Sequence, residues 1–199
     1  MYIPKHNAFF IHIPKTGGNS IEFFFLRDMN VQVSTENSKN VFIDHKDLVL
    51  GNFNGVQTAH YKAQQLQQNE KFCNSNYRFT IVRHPVERFL SEYAWRNGND
   101  NGTKLDRLLN ELVEQKDYRL HSCWEYITVD NKLCVDDVFR LEDISNMEKT
   151  LSKKLGIPFV MPHDNKSKKE KPTLTKSQLD IIRRVWAKDF EEFGYEINH

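Results

Sequence analysis

His12-Ile13-Pro14-Lys15-Thr16-Gly17-Gly18-Asn19-Ser20 decides how the chain is read, because it joins an apolar run to a helix-compatible segment. Ala8 to Ile13 has the composition of a short buried strand, Pro14 and the two glycines end it, and Ser20 to Arg27 favours a helix. Strand, loop and helix in that order open an α/β unit. Glycines at such a junction let the backbone approach a ligand closely, and the first N–H groups of the helix face it with the positive end of the helix dipole. Lys15 adds a formal charge and Thr16, Asn19 and Ser20 add side-chain donors, so the loop is predicted to hold a phosphate or sulfate. The nucleoside-triphosphatase pattern G-x-x-x-x-G-K-[ST] places its lysine after the glycines, whereas Lys15 precedes Gly17. Without further context the same residues also suit a tight turn with a solvated lysine.

A second strand-loop-helix unit follows at Arg78-Phe-Thr-Ile-Val-Arg83-His84-Pro85-Val-Glu-Arg88-Phe-Leu-Ser91-Glu-Tyr93. Phe79 to Val82 reads as a buried strand, and Pro85 suits the first position of a helix running to about Arg96. Arg83 leaves the strand end, Ser91 lies near the end of the second helical turn, and Arg88 sits three residues earlier on a neighbouring surface. A guanidinium at a strand end suits a second anion, because its fork gives paired, charge-assisted bonds. The competing reading pairs Arg83 and Arg88 with Glu87 or Glu92 on the surface.

The rest of the chain supplies framework. Val56 to Ala59 suits another strand, followed by a helix from about Lys62 to Gln68. Thr103 is placed to cap a helix whose Leu105, Leu108, Leu109, Leu112 and Val113 form one apolar stripe. Trp124 to Val138 suits a short helix or a hairpin at Asp130-Asn131, and a helix from Ser145 to Leu155 stops at Gly156 and Pro158. Met161 to Pro172 is a lysine-rich loop, read from its pattern as a solvated charge run, and Thr175 with Gln178 opens a last helix to about Lys188. Residues 28–55 are polar and irregular apart from Val41 to Ile43 and Leu48 to Leu50. The fold class is α/β: a mainly parallel sheet flanked by helices, with residues 1–199 as a single domain and ligands at the C-terminal ends of its strands.

Composition narrows the partners. With 28 basic and 27 acidic residues the net charge is +1, so no global excess favours nucleic acid or an anionic membrane, and any anion must be held locally. Cys73, Cys123 and Cys134 form no C-x-x-C, which argues against a disulfide framework or a zinc knuckle and for a reducing compartment. No window approaches the ~18 apolar residues of a membrane span, and Pro4, His6, His12 and Pro14 interrupt any signal-peptide apolar region. The chain is therefore expected to be soluble and cytoplasmic, with no membrane or nucleic-acid partner, and no cluster has metal-ligand spacing.

Together the two units resemble the PAPS-dependent sulfotransferases, especially the carbohydrate branch that includes the heparan sulfate 2-O-sulfotransferases. His12-Ile-Pro-Lys-Thr-Gly-Gly is similar to that family's 5′-phosphosulfate loop, and Thr80-Ile-Val-Arg-His-Pro-Val-Glu-Arg-Phe-Leu-Ser-Glu-Tyr to its 3′-phosphate motif. Val138-Phe-Arg-Leu-Glu-Asp, Asn165-Lys-Ser and Asp189-Phe-Glu-Glu-Phe-Gly-Tyr195 resemble later landmarks in the same order. The resemblance implies a P-loop nucleoside-triphosphate-hydrolase-like sulfotransferase fold and 3′-phosphoadenosine 5′-phosphosulfate (PAPS) as donor. It assigns Lys15, Thr16, Gly17, Gly18, Asn19 and Ser20 to the 5′-phosphosulfate, Arg83 and Ser91 to the 3′-phosphate, and Lys15 also to the bridging oxygen. Lys166 and Ser167, in the lysine-rich loop, become further donor contacts. His60, after Val56 to Ala59, becomes the base that takes the acceptor's proton, with Glu22 as its rival and His45 as an outside candidate. Asn19 and His84 stand where relatives usually carry Thr and Asp. The acceptor implied is a hydroxyl on a glycan or small glycoside. Two other classes remain: a P-loop kinase or nucleotide hydrolase using Val41-Phe-Ile-Asp44 as a metal-binding strand end, and a non-catalytic nucleotide-binding module.

Overall fold

The computed structural model describes residues 1–30, 60–98, 100, 102–162 and 171–196, and the backbone of residues 52–53 and 56–57. Strand β1 (Tyr2–Ile3) pairs antiparallel with β2 (Ala8–Ile11), and helix α1 (Gly18–Asp28) follows. Strands β3 (Asn52–Phe53) and β4 (Val56–Gln57) form a separate hairpin, before the short helices α2 (Ala63–Leu66) and α3 (Glu70–Cys73). Strand β5 (Tyr77–Val82) leads into α4 (Pro85–Asn97), α5 (Leu105–Glu114) and α6 (Cys123–Ile127). The hairpin β6 (Thr128–Val129) and β7 (Lys132–Leu133), strand β8 (Asp137–Arg140), and helices α7 (Ile144–Leu155), α8 (Lys176–Val185) and α9 (Ala187–Glu192) complete the order.

The main sheet runs β1-β2-β5-β8, with β2, β5 and β8 mutually parallel. Strand β2 is apolar at every position because both of its faces are covered. Phe9 and Ile11 enter one apolar cluster with Val82, Phe89, Leu109 and Trp186, while Ala8 and Phe10 enter the other with Ile21, Phe25, Phe79 and Met147. Helices α4, α5 and α8 thus cover one face, and α1 and α7 the other. The parallel pairing brings the C-terminal ends of three strands to one edge, so that His12, Arg83 and Leu141 leave the sheet side by side.

Several elements depart from the sequence reading. Strand β4 covers Val56–Gln57 of the expected strand, residues 58–59 lying outside the described residues, and pairs with β3 rather than with the main sheet. The helix expected from Lys62 is one turn long, and a second turn, capped by Asn69, follows it. Thr103 does not cap α5: its hydroxyl donates to Asp100 at 2.5 Å, and Lys104 occupies the cap position. Leu105, Leu108, Leu109 and Leu112 are buried as the stripe requires, but Val113 is 49% exposed at its margin. The last helix breaks at Trp186, whose buried indole N–H donates to the Leu120 carbonyl at 2.8 Å. Both readings of Trp124 to Val138 hold, since α6 is followed by a hairpin whose turn residues Asp130 and Asn131 have φ of 49° and 59°. The capping box at Thr175 and Gln178 and the left-handed Gly156 stand as expected. Among the described residues no helix is long and apolar enough to cross a membrane.

Candidate active site

The loop between β2 and α1 has the backbone its sequence calls for. Lys15 and Gly17 both take positive φ, 69° and 90°, so the chain curls tightly into the helix N-terminus. At Gly17 an added Cβ would also lie 2.8 Å from Leu141 Cδ1, and at Gly18 it would lie 2.1 Å from the His12 ring, so each glycine is required for a different reason. The first turn of α1 contains no acidic residue. The buried hydroxyl of Thr16 donates to the Ile13 carbonyl at 3.0 Å and fastens the loop from within. Ser20 is buried in the first turn of α1, whereas Asn19 is exposed.

Two histidines and a carboxylate meet behind this loop. Glu22 accepts from His12 Nδ1 at 2.8 Å, and His60 Nδ1 donates to the His12 carbonyl oxygen at 2.9 Å. The imidazole rings lie edge to face, with centroids 4.5 Å apart. A carbonyl oxygen only accepts, so the His60 proton must sit on Nδ1 and the lone pair on Nε2. Burial pushes His60 down to about 3, helped by the neighbouring charge of His12 and opposed by its bond to the His12 carbonyl and by Glu22. For Glu22, burial acts to raise the carboxyl, but the charge and hydrogen bond of His12 override it and hold the group below its usual value. Glu22 is thus an ionised partner of His12.

The segment from Arg78 to Tyr93 places its two later arginines in different surroundings. Arg83 lies beside the loop, donating to the Lys15 carbonyl at 3.4 Å and to Glu87 at 3.2 Å, so the expected surface pairing with Glu87 is present. Lys171, at the end of the lysine-rich loop, donates to the same Glu87 oxygen. Ser91 is half-buried on α4, eight positions after Arg83. Arg88 does not reach a ligand surface: it is 1% exposed, and its guanidinium donates to the carbonyls of Pro14, His121 and Arg119 at 3.0, 2.8 and 3.0 Å. Asp189, completely buried 3.9 Å from Arg88, accepts from the backbone N–H groups of Cys123 and Trp124 at the start of α6. Glu142 likewise accepts from the His84 backbone N–H at 2.8 Å and the Tyr195 hydroxyl at 3.0 Å, and the His84 ring packs against Phe190 and Tyr195.

Lys15, Thr16, Gly17, Gly18, Glu22, His60 and Arg83 are therefore brought to one sheet edge, whereas Arg88, Asp189 and Glu142 are braces beneath it. His45, Asp44, Lys166 and Ser167 lie outside the described residues. Sequence reasoning missed His12, whose signal was a histidine between a strand and the loop, and the cluster of Trp95, Tyr118 and Arg119. Lys15 Nζ lies 5.3 Å from the Trp95 ring centroid, and the Arg119 guanidinium lies over both Trp95 and Tyr118. Among the described residues no group of three or more His, Cys, Asp or Glu side chains is arranged to hold a metal ion.

No curated protein and no solved structure matches the chain. Residues 1–128, which contain the loop between β2 and α1, His60, Arg83 and Ser91, match the sequence model of the sulfotransferase family. With the match covering more than half of its 199 residues, the chain belongs to the sulfotransferase family.

Proposed function

We propose that the protein moves a sulfuryl group from PAPS to a hydroxyl of a glycan or small glycoside, by in-line displacement with His60 as the base. The observation that carries this reading is the bond from His60 Nδ1 to the His12 carbonyl at 2.9 Å. It presents the Nε2 lone pair from a residue anchored on the very segment that opens the anion loop.

In this reading the N-terminus of α1, with Lys15, holds the 5′-phosphosulfate, while Arg83 and Ser91 hold the 3′-phosphate. The acceptor oxygen bonds to sulfur as the bond from sulfur to the bridging oxygen breaks, and the acceptor proton passes to His60 Nε2. Lys15 neutralises the charge that grows on the bridging oxygen, which leaves with 3′-phosphoadenosine 5′-phosphate (PAP). His12 and Glu22 act as positioning residues: the hydrogen bond to Glu22 fixes the His12 ring, and the His12 carbonyl fixes the His60 tautomer. This assigns the rival Glu22 to orientation.

Thermal shift with PAP in the absence of Mg²⁺, followed by transfer from labelled PAPS to a panel of glycosides, tests the proposal. Saturating PAP at about 100 times its Kd is expected to stabilise the protein by about 2.7 kcal/mol, and Lys15→Ala and Arg83→Ala to remove most of that gain. Stabilisation by Mg-ATP in preference to PAP would place the protein among kinases or hydrolases instead. PAP binding with no transfer to any glycoside would leave a nucleotide-binding module.

A further inference from the structure

Glu142 follows the end of β8 and stands exposed at the sheet edge where Arg83 leaves β5. A carboxylate near a site for anions repels the ligand that the site takes, so its place there calls for a reason. Its two oxygens carry that reason. Oε1 accepts from the His84 backbone N–H at 2.8 Å, and Oε2 accepts from the Tyr195 hydroxyl at 3.0 Å. One residue earlier, the Leu141 N–H donates to the Val82 carbonyl at 2.8 Å. Arg83 therefore lies between two neighbours whose peptide groups are held by consecutive residues of the β8–α7 connection. His84 is also the cap of α4, with Pro85 directly after it, so holding its N–H fixes the turn from strand to helix out of which the Arg83 side chain projects.

The support continues into the segment after α9. Tyr195 is 8% exposed, its N–H donates to the Phe190 carbonyl at 3.0 Å, and its ring lies 4.6 Å from the Arg140 guanidinium carbon and 5.3 Å from the His84 ring. Arg140, the last residue of β8, also donates to the carbonyls of Phe193 and Gly194. Gly194 takes a φ of 60°, and a Cβ added there would stand 3.0 Å from Arg140 Nη2. The tyrosine that engages Glu142 Oε2 is thus held by its backbone and its ring, which leaves Oε1 turned toward His84. Glu142, Arg140 and Tyr195 all lie beyond residue 128, where the family match ends. A guanidinium binds phosphate through two parallel bonds, so a small rotation of the backbone at Arg83 would misalign both at once.

We propose that Glu142 is a positioning residue for Arg83, supported by Tyr195, and that the two set the selectivity for a donor phosphorylated at the ribose 3′ position. The proposal rests on the reading of Arg83 as the 3′-phosphate contact. Calorimetry on the full chain, without Mg²⁺, compares PAP with adenosine 5′-phosphate, which differs from it by that phosphate alone, and each variant is also melted. The wild type is expected to prefer PAP by at least about tenfold, and Glu142→Gln to lower that preference about five- to tenfold, with adenosine 5′-phosphate bound within about twofold of wild type. Tyr195→Phe, which changes no charge, is expected to lower it about two- to threefold. In an Arg83→Ala background Glu142→Gln should alter the preference by less than about twofold, because the residue through which it acts is gone. The direction of the change is decisive. A glutamate that only repels anions would, on becoming glutamine, raise the preference for PAP, and that rise or an unchanged preference would overturn the proposal. Equal weakening of both nucleotides would do the same by showing a general loss of structure, as would a full effect of Glu142→Gln in the Arg83→Ala background. A wild type that binds PAP no better than adenosine 5′-phosphate would defeat the reading of Arg83 and this proposal with it, whereas a wild-type preference that both variants leave intact would defeat this proposal alone.

Discussion

Replacing His60 by glutamine separates its charge from its shape, and the structure sets the size of the effect. In the folded chain His60 is pushed from the ordinary 6.5 to about 3, first by burial and then by the charge of His12. A depressed histidine resists protonation that the unfolded chain accepts. Its contribution to stability is therefore complete above pH 6.5 and is lost as pH falls through 6.5 toward about 3. At pH 5 the unfolded histidine is almost fully protonated and the folded one is not, which costs the wild-type protein about 2 kcal/mol relative to pH 7.5. His60→Gln does not pay this. Its urea midpoint should gain about 1 M on the wild type between pH 7.5 and pH 5, at an m-value of about 2 kcal/mol/M. For His60 as the proposed base, the same depression keeps Nε2 unprotonated: an ordinary histidine is only about 10% unprotonated at pH 5.5, whereas His60 should be almost wholly so. The acid limb of kcat/KM should accordingly fall well below pH 5, and His60→Gln should cost about 10²- to 10⁴-fold in transfer while PAP still stabilises the protein. A stability gap between wild type and variant that stays constant from pH 7.5 to pH 5, or an acid limb centred at 6 to 7, would refute the buried, neutral His60 described above.

Three other perturbations probe the supports of the site. Arg88→Met removes three hydrogen bonds to carbonyls and leaves Asp189 without its cation, a loss of about 3 to 5 kcal/mol. Burial raises the Asp189 carboxyl and Arg88 opposes that rise, so ionised Asp189 becomes more costly as pH climbs above its unfolded value; melting temperatures should show a larger loss at pH 7 than at pH 5, and equal losses would count against the pairing. Gly18→Ala would gain up to about 1 kcal/mol in an open helix but here drives Cβ into the His12 ring, so denaturation should show a net loss of about 1 to 3 kcal/mol, and a stabilised variant would mean that the contact is absent. Glu87→Gln removes the carboxylate that engages both Arg83 and Lys171; calorimetry should find PAP binding about two- to fivefold tighter, and unchanged or weaker binding would show that Glu87 does not compete for Arg83.

The strands and loops of the site were legible in the sequence where local rules govern them. An apolar run ended by Pro14, Gly17 and Gly18 announces a buried parallel strand and its ligand edge, and Phe79 to Val82 before Pro85 repeats the signal. Strand β8 left no comparable trace. At the edge of the sheet it needs only Phe139 buried, and Asp137 and Arg140 at its ends face neighbours rather than core. The extended Val56–Gln57 was legible in its composition, but its pairing partner was not, because Asn52–Phe53 carries no apolar alternation that marks it as a strand.

Charge was harder to read than hydrophobicity, because sequence shows which residues carry it and not which are buried. Arg83 and Arg88 lie five positions apart in one basic motif, yet one remains 20% exposed beside the anion loop while the other is sealed beneath it. The difference follows from the helix. Arg88 leaves α4 into a buried environment where the carbonyl oxygens of Pro14, Arg119 and His121 and the carboxylate of Asp189 satisfy it. Removing that cation would release both Pro14 and residues 119–121, so the loop between β2 and α1 and the segment before α6 depend on the same buried guanidinium. The net charge of +1 is consistent with this economy. Positive charge is concentrated by folding rather than by composition, with Lys15 and Arg83 side by side at one strand edge and Arg88 held behind them, bonded to the Pro14 carbonyl.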